Sequence, residues 1–589
     1  MNKQRIIAGL ASVAMASTLV ACSGGSSSNA KTLTVSVSQS LTGQFTPQYA
    51  SSAYDQYVVN LCYESMLKYN ADNELEPVLA KDLPEVSEDG LTLTYKLAKG
   101  HKFSDGTEVT AKDVKFTFTT LADPSYAGPN GGGMDNIQGY KEYNSGEAKE
   151  LTGVETPDDY TVVFHLVTPQ IDAISSFGTM GITSADHYSK YKQGKVNVVE
   201  KNQEESCGSG AYQIKSYDKA SGASFVRNEE FKAEDGKYQV DRVIIKKTDV
   251  TTEVSELKKG TVDLIPEVIE TNKVSEASQD KNMAFNYYTR SAIGFVAMNS
   301  NNGATADKAV RQALMYATDR QGFCDSYFGW DKKASDEVKK VQGGYVPAAF
   351  WNPASENCGA VVRNEETVEG LNTYAFDMDK ANQLLDEAGW VKGADGIREK
   401  DGQKLEIKFL CSEGNSVLET LIPMVKKTYL DLGVDLKQTT VDFSTLLSNV
   451  QDESHDSEWN MCFLATSFTS NQDSSANDQY TNVPENMAVN NYSRINDQAL
   501  VDQLTKARSD SDAETSKTDY VEAMKMAADD AGYMSVYSGM MFNLYNKKVV
   551  IVLSLLCYLM ACIFTPFYYS NMPPTEDYLF GSLFCLLLG

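Results

Sequence analysis

The sequence predicts an α/β protein built from more than one domain, and three observations carry that prediction. Stretches of alternating polarity in the first half, Leu91 Thr92 Leu93 Thr94 Tyr95 Lys96 Leu97 and Tyr160 Thr161 Val162 Val163 Phe164 His165 Leu166, read as strands with one buried face. The second half carries capped amphipathic helices. Asp307 precedes the apolar stripe Ala309, Val310, Ala313, Leu314 and Ala317, and Asp377 precedes Ala381, Leu384, Leu385 and Ala388, closed by Gly389. At 589 residues the chain exceeds what one core organises, so two or three domains are expected, and 42% hydrophobic residues suffice to fill them.

Taken in order, the chain opens as an export signal. Lys3 and Arg5 lead into an apolar run over 6–20, and Leu19 Val20 Ala21 Cys22 has the pattern of a bacterial lipobox. In that pattern the cysteine is lipidated and becomes the mature N-terminus, so 1–22 is expected to be a lipoprotein signal and Cys22 a membrane anchor. Residues 23–30, with Ser23 Gly24 Gly25 Ser26 Ser27 Ser28, then form a flexible tether. The expected location is the outer side of the cell membrane, periplasm or cell surface. At the other end Lys547 and Lys548 precede a nearly unbroken apolar run, followed by Phe567, Tyr568 and Tyr569. Length and flanks predict a transmembrane helix over 549–570, with 571–589 as a tail.

Composition removes several functions. A net charge of -27 argues against nucleic acid as a partner, because that affinity rests on clustered Lys and Arg. The four histidines are scattered, without an HExxH, and there is no GxSxG; no catalytic residue, metal or cofactor is expected. The glycine-rich segment 123–133 lacks the GxxxxGK[ST] of a phosphate cradle and reads as a surface turn. Ten cysteines show no metal-type spacing. Cys62, Cys207, Cys324, Cys358, Cys411 and Cys462 could pair in an oxidising compartment, Cys324 with Cys358 being the nearest couple in sequence.

Ala80 Lys81 Asp82 Leu83 leads through the strand at 93–97 to Lys102 Phe103 Ser104 Asp105 Gly106 Thr107 Glu108 Val109 Thr110 Ala111 Lys112 Asp113 Val114 Lys115 Phe116. Physically this is a strand, an Asp-Gly turn and a helix capped by Thr110, with Asp113 in its first turn. The block resembles the signature of the family 5 extracellular solute-binding proteins, the oligopeptide and dipeptide receptors of ABC importers. Further blocks resemble that family in the same order: Tyr63 Glu64 Ser65 Met66 Leu67, Gly208 Ser209 Gly210 Ala211 Tyr212, Val310 Arg311 Gln312 Ala313 Leu314, residues 381–390, and Asn491 Tyr492 followed by Asp502 Gln503 Leu504. Together they span nearly all of 32–548.

The resemblance implies a two-lobed periplasmic-binding-protein-like fold, class II of the large peptide-binding type, with an inserted third domain. The first lobe would take 31–72, 205–292 and 520–548, the inserted domain 73–204, and the second lobe 293–519. It also implies where ligand would sit. In peptide-binding members an aspartate in a W-x-x-D-Y block of the second lobe pairs with the peptide's amino terminus, while an early strand of the first lobe pairs with its backbone. Here Phe468 replaces the tryptophan and Asn471 stands at the aspartate's place. Either Asp473, two residues on, supplies the charge, or the ligand lacks the amine. In the first lobe the strand at 34–37 leads to Gln44 and Phe45, and Asn299 closes a hinge-side strand of the second. The ligand-binding candidates are therefore Gln44, Phe45, Asn299, Phe468, Asn471 and Asp473.

The function implied is capture of a small ligand, an oligopeptide or dipeptide, between hinged lobes and delivery to ABC permease subunits, without enzymatic activity. Four tryptophans against 32 tyrosines lean away from a sugar ligand. Two rivals remain: a secreted hydrolase on the same scaffold, and a membrane-integrated sensor or permease fusion, suggested by the tail, where 571–581 faintly resembles a segment of dipeptide permeases.

Overall fold

The computed structural model describes residues 31–547 apart from 51, 71–74, 132, 171, 202–206, 233–239, 469–471, 482–490 and 511. Cys22, Asn471 and the expected membrane segment 549–570 lie outside the described residues. Among the described residues no helix is long and apolar enough to cross a membrane.

A twelve-stranded sheet runs through the molecule. In the first lobe, Thr32–Val37 lies between Arg242–Lys247 and Leu264–Val268, parallel to both. Its alternation sends Leu33, Val35 and Val37 into a core shared with Phe45, Val58, Phe225 and Ile245. In the second lobe, Ala292–Met298 is buried at every position. It lies between two cores: Val296 and Met298 face one, Ile293, Phe295 and Ala297 the other. A strand covered on both faces reads as a continuous apolar run, as Ala292–Met298 does.

The lobes share one long strand, Tyr533–Asn546. Its first part pairs with Ala292–Met298 of the second lobe, its last part with Leu264–Val268 and Met283–Thr289 of the first. The chain also crosses between lobes at Arg290 and Ser291, where the Arg290 N–H donates to the Gly539 carbonyl at 3.1 Å. The helix Ala513–Asp530 buries Tyr520, Ala523 and Met524 in a second-lobe core. The first lobe therefore regains the chain only near Met540, later than the residue 520 expected. An amphipathic pattern shows that a helix has a buried face but not which lobe covers it.

Between the early segments of the first lobe lies a unit whose core runs from Met66 to Cys207. Both alternating stretches read from the sequence are here, as the strands Thr92–Lys96 and Thr161–His165, paired with each other in a four-stranded antiparallel sheet. The Asp113 carboxylate accepts the Thr110 N–H (2.9 Å), closing the N-terminus of the helix Ala111–Leu121, and also the Ala185 N–H (2.9 Å). In the second lobe Asp307 caps Lys308–Tyr316 through Ala309 N–H (3.0 Å), and Asp377 caps Met378–Glu387 through Lys380 N–H (2.9 Å). The cysteines described are buried, and Cys324 and Cys358 are both free thiols. Cys324 and Cys358 do not form the bridge their sequence proximity allowed, because they belong to separate second-lobe cores.

Candidate ligand cleft

The carboxyl ends of the first lobe's parallel strands, where α/β sheets commonly bind ligands, open on a cavity of about 250 Å3 beside the crossing strands. Ser36, Ser38, Tyr54, Glu267, Arg290 and Met541 line it. Glu267 reaches it through a distortion of the sheet. Leu264–Val268 pairs with the crossing strand at Leu264, Ile265 and Val268, and the register slips between the last two. Pro266 has no N–H for the ladder, and Glu267 takes φ 58°, a left-handed conformation that costs a residue with a side chain about 1–3 kcal/mol. Its N–H is held by Asn543 Oδ1 (3.2 Å), and Asn543 is braced by Asn286 (3.0 Å).

The Glu267 carboxyl faces the Tyr288 hydroxyl at 3.4 Å. Burial pushes its pKa up, against the hydrogen bonds of Tyr57 and Tyr288 and the more distant charge of Arg290, which pull it down. Lys273, the other cation of the cavity wall, is already paired with Glu253 (2.7 Å) and Glu270 (2.9 Å). Arg290 makes no ion pair among the described residues, and its buried Nε has no hydrogen-bond partner.

Elsewhere the inserted unit touches the second lobe directly. Asp172, whose side chain is 4% exposed, pairs with Arg508 Nε at 3.1 Å. The Ser474 hydroxyl also donates to Asp172, and Gln472 Nε2 donates to Ser175 and Ser176 Oγ, both at 2.8 Å. Tyr69 donates to Glu356 Oε1 at 2.5 Å. Burial, reinforced by the negative charges of Asp473 and Asp172 and opposed by the Tyr69 hydrogen bond, pushes the Glu356 carboxyl from 4.5 up to about 7.

That shift has a sign for the contact. Lobes in contact hold the Glu356 proton more tightly than lobes apart, so contact is favoured as pH falls through about 7 and weakened as pH rises past it. Glu356 is nonetheless solvent-exposed at the edge of the contact, so water screens the shift and the effect is modest. Small-angle scattering of the ligand-free protein should show a larger radius of gyration at pH 8 than at pH 6, and Glu356→Gln should flatten the difference. A wild-type radius that is constant or runs the other way overturns this assignment.

The residues singled out in the sequence divide. Phe45 is fully buried in the first-lobe core, edge-on to Tyr217 at 4.9 Å, with Gln44 half-buried beside it. Asn299 is fully buried at the end of its strand remote from the crossing, donating to the Asn460 carbonyl (2.8 Å) and accepting the Asn301 N–H (2.9 Å). Phe468 lies at the crossing, its N–H donating to the Ser291 carbonyl at 2.9 Å. Asp473 belongs to the layer that meets the inserted unit, and its carboxylate accepts Cys358 N–H (2.9 Å), Asn357 Nδ2 (3.1 Å) and Asn357 N–H (3.2 Å). Sequence reasoning missed Glu267, Arg290, Asp172, Glu356 and Arg508. A signal existed for the first: proline within the apolar run Leu264 Ile265 Pro266 marks a bulge, and bulges re-aim side chains beside sites.

The model of the bacterial extracellular solute-binding proteins, family 5 Middle, matches residues 74–487, more than half of the chain. The chain belongs to this family. As a family 5 solute-binding protein it is an extracytoplasmic binding component of an ABC importer and not an enzyme. It is 24% identical over 423 residues to the oligopeptide-binding protein AppA of Bacillus subtilis, covering 70% of this chain and 69% of that one. Its fold is shared with the structure of that AppA in complex with a nonapeptide (TM-score 0.64, 21% identity, 88% of this chain and 95% of that one). It is likewise shared with NikZ of Campylobacter jejuni in complex with Ni(L-His) (TM-score 0.68, 21% identity, 88% and 94%).

Proposed function

We propose that this family 5 protein is a lipid-anchored receptor that captures a peptide between its lobes and presents the occupied, closed form to the permease subunits of an ABC importer. The observation that carries the reading is a polar cavity at the strand ends, set beside the two chain crossings that allow the lobes to rotate. A ligand touching both lobes binds only the closed arrangement and shifts the population toward it. The oligopeptide-binding relative supports the ligand class, and Leu19 Val20 Ala21 Cys22 behind an apolar run supports the anchor.

Ligand that binds only the folded state raises the melting temperature by mass action. A pool of short peptides is expected to raise it by several degrees and to leave the mixture chemically unchanged. No rise, together with no peptide released on denaturing the purified protein, sinks the peptide reading. Metabolic labelling with a fatty acid should mark the wild-type chain and not Cys22→Ser; an unlabelled wild type removes the anchor.

A further inference from the structure

A separate cavity lies inside the second lobe, lined from both of its cores, by Met315 and Tyr374 of one and by Phe350, Tyr480 and Met524 of the other. Arg320 opens the helix Arg320–Tyr327 and is the one charged side chain among the described lining residues. It is 5% exposed, and its guanidinium donates to the carbonyls of Ser535 (2.9 Å), Tyr374 (2.7 Å) and Thr373. Those bonds use three of its five N–H groups. Burial lowers its pKa to about 10, which leaves it protonated at neutral pH. The groups that act on it by charge are Cys324 and Tyr374, both kept neutral by burial, and no carboxylate pairs with it among the described residues.

Two more donors on the same lining lack partners. Ser535 Oγ and Trp351 Nε1 are buried without a hydrogen bond, in residues 3% and 0% exposed. Ser535 stands two residues from Tyr533 on the crossing strand, so their side chains share a face, and the Tyr533 ring stacks on Phe350 of the lining at 4.5 Å. The tyrosine hydroxyls of the lining are spent elsewhere: Tyr374 donates to the Ala528 carbonyl (2.7 Å), Tyr480 to that of Phe350 (2.9 Å) and Tyr533 to that of Gln479 (2.9 Å). What remains is a positive charge, an indole N–H that can only donate, and a hydroxyl. A buried charge without a counter-charge is costly, and a water molecule brings none. The free volume of about 20 Å3 admits one particle of about a water's size. We infer that Arg320, Ser535 and Trp351 hold one small monovalent anion of halide size, such as chloride, in the interior of the second lobe. The site is separate from the ligand cleft and does not depend on the peptide-receptor reading.

The test uses the full-length protein and reads its melting temperature in sodium chloride, bromide and gluconate at constant ionic strength, gluconate being too large for the cavity. Replacing gluconate by chloride or bromide, from about 1 mM to about 300 mM halide, is expected to raise the wild-type value by roughly 2 °C or more. Bulk salt effects do not mimic this, because they favour strongly hydrated anions such as sulfate over bromide. Ser535→Ala should shrink the halide-dependent rise and Arg320→Met should abolish it. A merely structural role for either residue would lower the melting temperature equally in halide and gluconate and leave the rise intact. Crystals grown in bromide should show an anomalous scattering peak in contact with Arg320. No halide-dependent rise in the wild type overturns the site, and so does density at that place without an anomalous signal, which marks a water. A bromide peak without a rise in solution is binding at crystal concentration only and overturns it too. Should Arg320→Met fail to fold, the wild-type series and Ser535→Ala decide.

Discussion

Arg508→Met is expected to loosen the closed receptor by about 2 kcal/mol and to weaken retained ligand roughly 30-fold, through faster release. The penalty arises only in the closed form. With the lobes apart Asp172 regains water, whereas in contact its side chain is 4% exposed and loses its only ion-pair partner among the described residues. Truncating one member of a buried, hydrogen-bonded charge pair costs about 2–5 kcal/mol; Arg508 is itself 34% exposed, which sets the effect at the lower end. Each 1.4 kcal/mol is tenfold in affinity. Calorimetry with a peptide recovered from the purified protein reads the affinity, and scattering reads the open fraction. Asp172→Asn added to Arg508→Met should restore part of the loss, since it removes the stranded charge. If affinity and radius are both unchanged by the single substitution, the contact plays no part in closure.

Gly208→Ala should cost the first lobe about 3 kcal/mol or more, among the largest effects of any single methyl group in this chain. A Cβ at Gly208 would stand 1.8 Å from the Cys62 carbonyl oxygen, and one at Gly210 would stand 2.5 Å from the Cys62 carbonyl carbon. These are backbone atoms at the end of the helix Ala53–Cys62, fixed further by the Gly210 N–H donating to the Cys62 oxygen at 2.9 Å. They cannot swing aside as a side chain could. Thermal unfolding should show a lowered first transition, and an unshifted melting curve would refute the steric account.

Those glycines show what the sequence could convey. Gly208 Ser209 Gly210 was readable as a family block, but its cause, a close approach to a helix 146 residues earlier in number terms, is visible only once the chain is folded. Local signals transferred well. Asp307, Asp377 and Thr110 each stand at the helix starts read from spacing, because capping involves neighbours two or three residues away. The site was less legible. Phe45 and Gln44 follow an early strand, but the direction a side chain takes after a turn depends on the core it meets, and the ring of Phe45 meets Tyr217. Asp172 and Arg508 lie in different units, and nothing in either neighbourhood announces the other.

The crossing strand Tyr533–Asn546 has a mechanical consequence. Bodies tied by one loose linker tumble through many orientations, all but one of which must be lost on capture. Here a continuous ribbon and a second crossing at Arg290–Ser291 are stitched together by the Arg290 N–H to Gly539 bond, so the lobes are joined by two adjacent backbone segments that restrain each other. The empty receptor therefore has little orientational entropy to surrender, and a small ligand making few contacts carries enough free energy to shut it.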